Sequence, residues 1–263
     1  MKYKKLIFQE RNGIAKITLN RPKEFNALDA EGVNELMKVI DHCRVDGDIR
    51  VVIITGEGRA FCAGGDIGFF KKFLESNPSE PFRDLLKILN ALIISLRRMP
   101  KPVIASINGA IGGGGMAIAS ACDIRICASS AKFKTGYTTV GLVGDGGWTL
   151  TVPMLIGLGR AIELMLLDSV FDAKQALDWG LVNFVVEDSK LDRFTNDIAS
   201  RLARGPTKAF AIAKENINQA VLGQLEHQLE LEGIGMVNAS GTHDYIEGVK
   251  AFLEKREPLF KGY

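Results

Sequence analysis

The chain has 263 residues, of which 46% are hydrophobic and 24% charged, with 33 basic and 31 acidic residues for a formal net charge of +2. This composition predicts a globular protein with a sizeable core, and the balanced charge gives no indication of nucleic-acid binding. No apolar stretch approaches the roughly 18 residues of a membrane span, and the N-terminal stretch lacks the apolar segment of a secretory signal.

The cysteines and histidines predict a reducing compartment and no metal site. The cysteines show no CxxC spacing and three of them lie in apolar surroundings, so we expect buried, reduced thiols in a cytoplasmic protein. The histidines are far apart in the sequence and lack the spacing of metal ligands. The residues concerned are Cys43, Cys62, Cys122, Cys127, His42, His227 and His243.

The N-terminal residues predict a hairpin followed by a helix. Residues 5–12 and 14–21 are rich in β-branched and apolar side chains and flank an Asn-Gly pair, a strong hairpin signal. Apolar residues then recur at the spacing of an amphipathic helix over 29–46, where Asp29 is placed to cap the N-terminus.

The middle of the chain alternates buried strands with glycine-rich loops and helices. We predict strands at 51–56, 101–109 and 123–128, a long helix ending near Arg98, and a short apolar helix over Met116–Cys122. This order argues for an α/β architecture.

Beyond about residue 190 no strand pattern remains. The segments 191–204, 206–220, 222–238 and 244–255 all predict helices. We therefore expect an α/β core over residues 1–200 and a helical region over 201–263.

Two loops contain unusual runs of glycine. Residues 61–66, FCAGGD, follow a strand, and residues 112–116, GGGGM, open the apolar helix. The glycines could simply permit tight turns and close packing. Alternatively, backbone N–H groups from both loops could stabilise an oxygen that becomes negative during a reaction. A phosphate loop is disfavoured because neither GxxxxGK[ST] nor a GxGxxG after a strand is present.

Asp145 lies in the glycine-rich bend GLVGDGGWTL, just before an apolar run. An Asp at this place is a good N-cap for the following helix. A catalytic carboxylate is the alternative, since the apolar neighbours Leu142, Val143 and Trp148 could desolvate it and raise its pKa. The residues alone leave both interpretations open.

Several motifs together resemble the crotonase, or enoyl-CoA hydratase/isomerase, superfamily over essentially the whole chain. They appear in the family's order and spacing and are ITLNRPKEFNALD, GEGRAFCAGGDI, KPVIASINGAIGGGGMAIASACDIRICASSAKF, GLGRAIELMLL, AKQALDWGLVNFVV and EGVKAFLEKREPLFKGY. The LVGDGG bend and the C-terminal tail look closest to the epoxyphenylacetyl-CoA isomerase type.

The resemblance implies a spiral of ββα units with a C-terminal helical trimerisation region, assembled as a trimer or a dimer of trimers. It implies acyl-CoA thioesters as substrates, with coenzyme A part of the substrate and no other cofactor or metal. The amides at Ala63 and Gly114 are expected to form the oxyanion hole. The implied substrate-binding residues are Lys23, Phe25, Ala63, Gly64, Gly65, Asp66, Ile67, Gly114, Tyr137, Phe252 and Lys255.

The chain departs from the hydratase pattern at the two positions where hydratases carry glutamates. Ala117 and Tyr137 stand there, and alanine can neither orient nor deprotonate water. Asp145 occupies a third acidic position, eight residues after Tyr137, which dienoyl-CoA isomerases, epoxyphenylacetyl-CoA isomerases and chlorobenzoyl-CoA dehalogenases of the family use. Asn90 replaces the histidine of the dehalogenases and Tyr137 their tryptophan, which disfavours dehalogenation.

The resemblance therefore predicts an isomerase in which Asp145 moves a proton and the hole holds an enolate, while Asp145 could still cap the helix. Tyr137 would be a pocket wall, a hydrogen-bond donor or plain packing. Hydration or thioester hydrolysis through Asp145, and a non-catalytic thioester binder, are the alternatives. Trp148 and the Phe69-Phe70 pair could line an acyl pocket or belong to the core.

Overall fold

The structure is a computed structural model that describes residues 3–263. Residues 1 and 2, which belong to the stretch without a predicted secretory signal, lie outside the described residues. Within residues 3–263, none of the helices combines the length and the apolar character needed to cross a bilayer.

The strands have two to six residues and the helices four to eighteen. The strands are β1 (Leu6–Arg11), β2 (Ile14–Leu19), β3 (Val51–Gly56), β4 (Ala60–Cys62), β5 (Val103–Ile107), β6 (Ala110–Gly112), β7 (Ile124–Ala128), β8 (Lys132–Lys134), β9 (Phe171–Asp172) and β10 (Phe184–Val186). The helices are α1 (Ala30–Val45), α2 (Ile67–Phe70), α3 (Glu80–Arg97), α4 (Gly114–Ala121), α5 (Trp148–Ile156), α6 (Leu158–Leu167), α7 (Ala173–Asp178), α8 (Leu191–Ala203), α9 (Thr207–Val221), α10 (Leu225–Ser240) and α11 (His243–Glu254).

From β3 to β8, successive strands alternate between two sheets. The larger sheet has the order β1-β2-β3-β5-β7-β10, and the smaller has the order β4-β6-β8-β9. Only the β1–β2 and β8–β9 pairs are antiparallel, and the other neighbours within residues 3–263 are parallel. Each passage from a strand of the large sheet to a short strand of the small sheet and then to a helix is one ββα turn of a spiral.

The large sheet is buried on both faces, which explains its continuous apolar strand sequences. In β3, Val52 and Ile54 belong to the main core, while Val51 and Ile53 pack in a second cluster with Leu191 of α8. Because α8 covers this face, the predicted division after residue 200 falls inside a helix that packs on the core sheet. The division itself remains a prediction.

Most predicted elements are confirmed within a few residues. The hairpin turns at Asn12 and Gly13, both with positive φ, and Asp29 caps α1 by accepting from the Gly32 amide at 2.8 Å. The four predicted C-terminal helices correspond to α8–α11. All four cysteines are buried and unpaired, as expected.

Two differences affect the glycine-rich loops. The loop predicted at 61–66 begins inside β4, which pairs with β6, and α4 begins at Gly114 instead of the predicted Met116. The helix α4 therefore begins with two glycines. The small sheet was not predicted at all.

Candidate active site

A cavity of about 320 Å³ opens where the two glycine-rich loops meet. Its inner wall is apolar and comes from α2, α3, α10 and the segment around residue 140, with Phe70, Phe82, Leu85, Leu89, Leu142 and Met236 among its members. Of the predicted site residues, those that line it are Ala63, Gly65, Ile67, Gly114, Tyr137, Asp145 and Phe252.

The two loops touch each other through their backbones. Gly64 has a φ of +93°, and a Cβ built on it would lie 3.1 Å from Gly113 Cα and 3.3 Å from Gly114 N. A Cβ on Gly115 would lie 2.3 Å from the carbonyl oxygen of Cys62. Larger residues would therefore force β4 and α4 apart, so the glycines serve both close packing and the approach of backbone to the cavity.

The predicted oxyanion donor Ala63 is already used by the protein. Its amide donates to the carbonyl oxygen of Phe25 at 3.0 Å, so Ala63 cannot also donate to a ligand in this conformation. The amides of Gly65 and Gly114, which also line the cavity, donate to no acceptor among residues 3–263. The expectation is thus wrong for Ala63, and Gly65 is the residue of that loop with an available N–H.

Tyr137 and Asp145 are joined in the inner part of the cavity. The Tyr137 hydroxyl donates to Asp145 Oδ1 at 2.8 Å. A Cβ on Gly114 would lie 3.9 Å from the same carboxylate oxygen, so Asp145 is close to Gly114, one of the two residues with an available amide. Asp145 is the one acid among the described residues that line the cavity.

Asp145 does not cap the following helix. Gly147 occupies the N-cap position of α5 without a side-chain cap of its own. The carboxylate that accepts from the Gly147 and Thr149 amides is Glu232 of α10, at 2.6 and 2.8 Å. The capping interpretation of Asp145 is therefore wrong, and its carboxylate remains directed to Tyr137 and the cavity.

Burial raises the pKa of Asp145 from 3.8 to about 7. The hydrogen bond from Tyr137 lowers this pKa in part, and the negative charge of Glu232 raises it further. Burial and the neighbouring Asp145 raise the pKa of Tyr137 well above its ordinary value, so the phenol stays protonated at neutral pH. A carboxyl group with a pKa near 7 can both accept and return a proton at that pH.

Ala117 leaves no room for a second acid at the hydratase position. It is fully buried in the first turn of α4, and a Cβ on Gly146 would lie 2.8 Å from its methyl group. The bend that carries Asp145 therefore packs directly on Ala117.

Asp168 holds the segment that carries Tyr137. This buried carboxylate accepts from the Gly136 amide at 2.7 Å and from the hydroxyl groups of Thr135 and Thr139 on either side of Tyr137. Sequence reasoning missed Asp168, since a single acid 31 residues after Tyr137 has no motif to mark it.

The residues expected around coenzyme A are spread over a larger surface. Lys23 is exposed on the 3₁₀ turn Pro22–Glu24, and the guanidinium of Arg59 lies 4.2 Å from the ring centre of Phe25. Asp66 caps α2 and accepts from Arg21 at 2.8 Å. The expected residues Lys23, Phe25 and Asp66 lie outside the cavity lining, and so do Gly64 and Lys255.

Two lysines and the side chain of Phe70 also belong to the wall of the cavity. Lys132 and Lys134 of β8 line the cavity and were not predicted. Phe70 lines it while Phe69 does not, and Trp148 is buried outside it.

Asn90 donates to the Leu229 carbonyl oxygen at 3.1 Å.

One histidine lies beside two acids away from this cavity. His42 Nε2 is 2.7 Å from Glu10 Oε1 and 3.9 Å from Asp46 Oδ2. The group is partly exposed, and ion pairs of this kind are common on protein surfaces.

Comparisons with known proteins agree with the fold and the motifs. The family model described as enoyl-CoA hydratase/isomerase matches residues 9–263. The chain is 37% identical over 254 residues to 1,2-epoxyphenylacetyl-CoA isomerase of Escherichia coli, with 95% of each chain covered. It is 30% identical over 262 residues to trans-2-decenoyl-[acyl-carrier-protein] isomerase of Streptococcus mutans, with 100% of each covered.

Hydratases are among the relatives too. A probable enoyl-CoA hydratase of Rhodobacter capsulatus is 36% identical over 265 residues, with 100% of each chain covered. The crystal structure of an enoyl-CoA hydratase from Mycobacterium avium subsp. paratuberculosis superposes with a TM-score of 0.91 at 30% identity, covering 99% of this chain and 100% of that one. The chain therefore has the crotonase fold and belongs to the enoyl-CoA hydratase/isomerase family.

Proposed function

We propose that the protein is an acyl-thioester isomerase in which Asp145 moves a proton and the Gly65 and Gly114 amides hold the thioester oxygen. One observation carries the proposal: the acid with a pKa near 7 lies beside an available amide and a tyrosine donor in an apolar cavity. The family acts on acyl-CoA thioesters, and the apolar inner wall suits an uncharged acyl group.

The reaction needs one acid–base group. Ionised Asp145 removes a proton that the thioester and the adjacent double bond make acidic, and the electron pair moves to the thioester oxygen. Two amides that point to this oxygen stabilise the enolate, and each is worth about 3 kcal/mol judging from comparable sites. Protonated Asp145 then returns the proton to another carbon, which shifts the double bond. Because Tyr137 occupies Oδ1, the proton moves through Oδ2, which accepts from none of the described residues.

Ala117 favours isomerisation over hydration. The family's hydratases use two carboxylates to orient and deprotonate water, and here Asp145 lines the cavity without a second acid among the described residues. Two of the relatives are named isomerases. The second candidate is a hydratase or thioester hydrolase in which Asp145 activates water, since other relatives of similar identity are named hydratases.

Product analysis in ¹⁸O-labelled water separates these reactions. We expect 2-enoyl and 3-enoyl thioesters to interconvert without uptake of ¹⁸O, whereas hydration or hydrolysis places ¹⁸O in the product. Asp145→Asn should lose about a thousandfold in kcat while still binding the thioester. The exposed Asp84→Asn is the matched control and should keep full activity.

Two results would contradict the proposal. Near-normal turnover by Asp145→Asn would remove the mechanism. Tight thioester binding without turnover over a broad acyl panel would identify a binding protein instead. Each acyl group should be offered on both coenzyme A and acyl carrier protein, because the Streptococcus mutans relative is named for the second carrier.

A homotrimer, or a dimer of trimers, is the assembly that we propose. Several large apolar side chains of α6 and the residues next to it are exposed to solvent in the single chain, between 49% and 70%, and a soluble protein normally covers such a surface. They are Leu158, Ile162, Leu166, Leu167 and Val170. Sedimentation equilibrium tests this assembly.

A further inference from the structure

Glu232 is a buried carboxylate at the back of the Asp145 bend. It lies on α10 with 5% of its surface exposed, whereas its neighbours Glu230 and Leu231 on the same helix face solvent. An acid is rarely buried unless its charge is matched by hydrogen bonds. Its contacts therefore indicate what it does.

Three donors from the start of α5 converge on Glu232. The Gly147 amide donates to Oε2 at 2.6 Å, and the Thr149 amide and hydroxyl donate to Oε1 at 2.8 and 2.5 Å. Gln228, one turn earlier on α10, donates to the Thr149 hydroxyl at 2.8 Å and completes the network. The first amides of α5 are thus satisfied by a side chain from another helix.

The local sequence makes this external carboxylate necessary. Gly146 and Gly147 have positive φ values of 60° and 79°, and neither has a side chain that could cap α5. Glu232 therefore holds the C-terminal end of the bend that carries Asp145. Without Glu232, the two glycines would leave this end of the bend free to move.

We propose that Glu232 is a positioning residue of the active site: from α10 it caps α5, fixes the Gly146–Gly147 bend and so presents Asp145 to the substrate. The positioning role in turnover rests on the proposed isomerase function. The geometric and electrostatic parts concern Asp145 itself and can be measured without substrate.

The charge of Glu232 also acts on Asp145. The titratable groups that interact with the Asp145 carboxylate are Tyr137 after β8, Cys62 at the end of β4, and Glu232 on α10. Burial raises the pKa of Glu232, while its three donors and the positive end of α5 favour the charged form. A negative charge at this place disfavours ionisation of Asp145, which keeps the pKa of Asp145 higher than burial alone would.

The test compares Glu232→Gln with Glu230→Gln, which removes the same charge from an exposed position of the same helix. The carboxyl ¹³C resonance of Asp145, assigned by its loss in Asp145→Asn, is titrated in each protein. We expect the Asp145 pKa to fall by about half a pH unit or more in Glu232→Gln, because a like charge is removed. It should stay unchanged in Glu230→Gln.

A second variant tests positioning. Glu232→Ala leaves two buried amides without an acceptor, and we expect kcat to fall about tenfold or more with KM within about threefold. Glu232→Gln, which keeps an acceptor oxygen for one of the two amides, should recover part of this loss. An unchanged Asp145 pKa in folded Glu232→Gln would overturn the electrostatic part, and an unchanged kcat in Glu232→Ala would overturn the positioning part. A chain that shows the pKa shift but has no isomerase activity would refute the proposed function and leave the electrostatic coupling standing.

Discussion

The hydroxyl of Tyr137 lies 2.8 Å from Oδ1 of Asp145 and donates to it. Tyr137, which stands where hydratases carry a glutamate, thus donates a hydrogen bond to Asp145, the acid that remains. The hydrogen bond favours the charged form of Asp145 and opposes the effects of burial and of the Glu232 charge, so the pKa near 7 is a balance of opposing influences. Altering any one of them should move the pH dependence of the enzyme in a known direction.

Tyr137→Phe removes the favourable hydrogen bond, so we expect the pKa of Asp145 to rise above about 7. The acid limb of kcat/KM moves to higher pH, and a rise of about one pH unit costs about fivefold at pH 7 because less Asp145 is ionised. The measurement is kcat/KM from about pH 5 to about pH 9. Tyr245→Phe is the matched control, since the buried Tyr245 hydroxyl has no partner among the described residues. A profile that is the same in both variants would contradict the assignment.

Asp145 should also make folding stability depend on pH. Its folded pKa of about 7 is above the unfolded value of 3.8, so the folded state binds the proton more tightly. The resulting stabilisation is fully present below about pH 4 and is lost as the pH rises through about 7. Asparagine does not ionise, so we expect Asp145→Asn to gain about 2–3 kcal/mol in unfolding free energy, relative to wild type, between pH 5 and pH 8. Denaturant titrations at the two pH values measure this difference, and an equal difference at both would contradict the raised pKa of Asp145.

Gly115→Ala tests the contact between the two glycine-rich loops. The new Cβ would lie 2.3 Å from the Cys62 carbonyl oxygen, so β4 and the start of α4 must separate and the Gly65 and Gly114 amides move apart. We expect kcat to fall about tenfold to a hundredfold, as for other displacements of about 1 Å at an active site. Gly233→Ala in α10 is the control and should leave kcat unchanged, because a Cβ built on Gly233 would meet no neighbouring atom within 4 Å. An unaffected kcat in folded Gly115→Ala would mean that the amides do not act together.

The lysines that line the cavity should bind the phosphate groups of the carrier, coenzyme A or acyl carrier protein. Lys132 lines the cavity, whereas Lys255, expected from the family resemblance, does not within one chain. We expect Lys132→Ala to raise KM about threefold to tenfold at low salt with kcat unchanged, because an exposed cation contributes to binding and not to the reaction. Steady-state kinetics of Lys132→Ala and Lys255→Ala compare the two positions. A larger effect at Lys255 would indicate that a neighbouring subunit supplies it.

The sequence predicted those parts of the fold that depend on local pattern. The β1–β2 hairpin, the Asp29 cap and the four C-terminal helices follow from turn residues and helical periodicity. The strands of the small sheet have two or three residues, which is too short for a period of two to be recognised.

Distant contacts decided the parts of the site that the sequence could not predict. Glycine content marked both loops, but only the hydrogen bond from Ala63 to Phe25, 38 residues away, shows that Gly65 and not Ala63 has an available amide. Asp145 has the sequence context of a helix cap, and only Glu232, 85 residues after Gly147, shows that the cap comes from elsewhere.

The helix α10 contributes Met236 to the apolar wall of the cavity and Glu232 to the start of α5, both from one face of one helix. A hybrid protein that exchanged the C-terminal helices between two family members would therefore change acyl preference and acid strength together. In this chain, substitutions on that one face of α10 should therefore alter substrate range and optimal pH together.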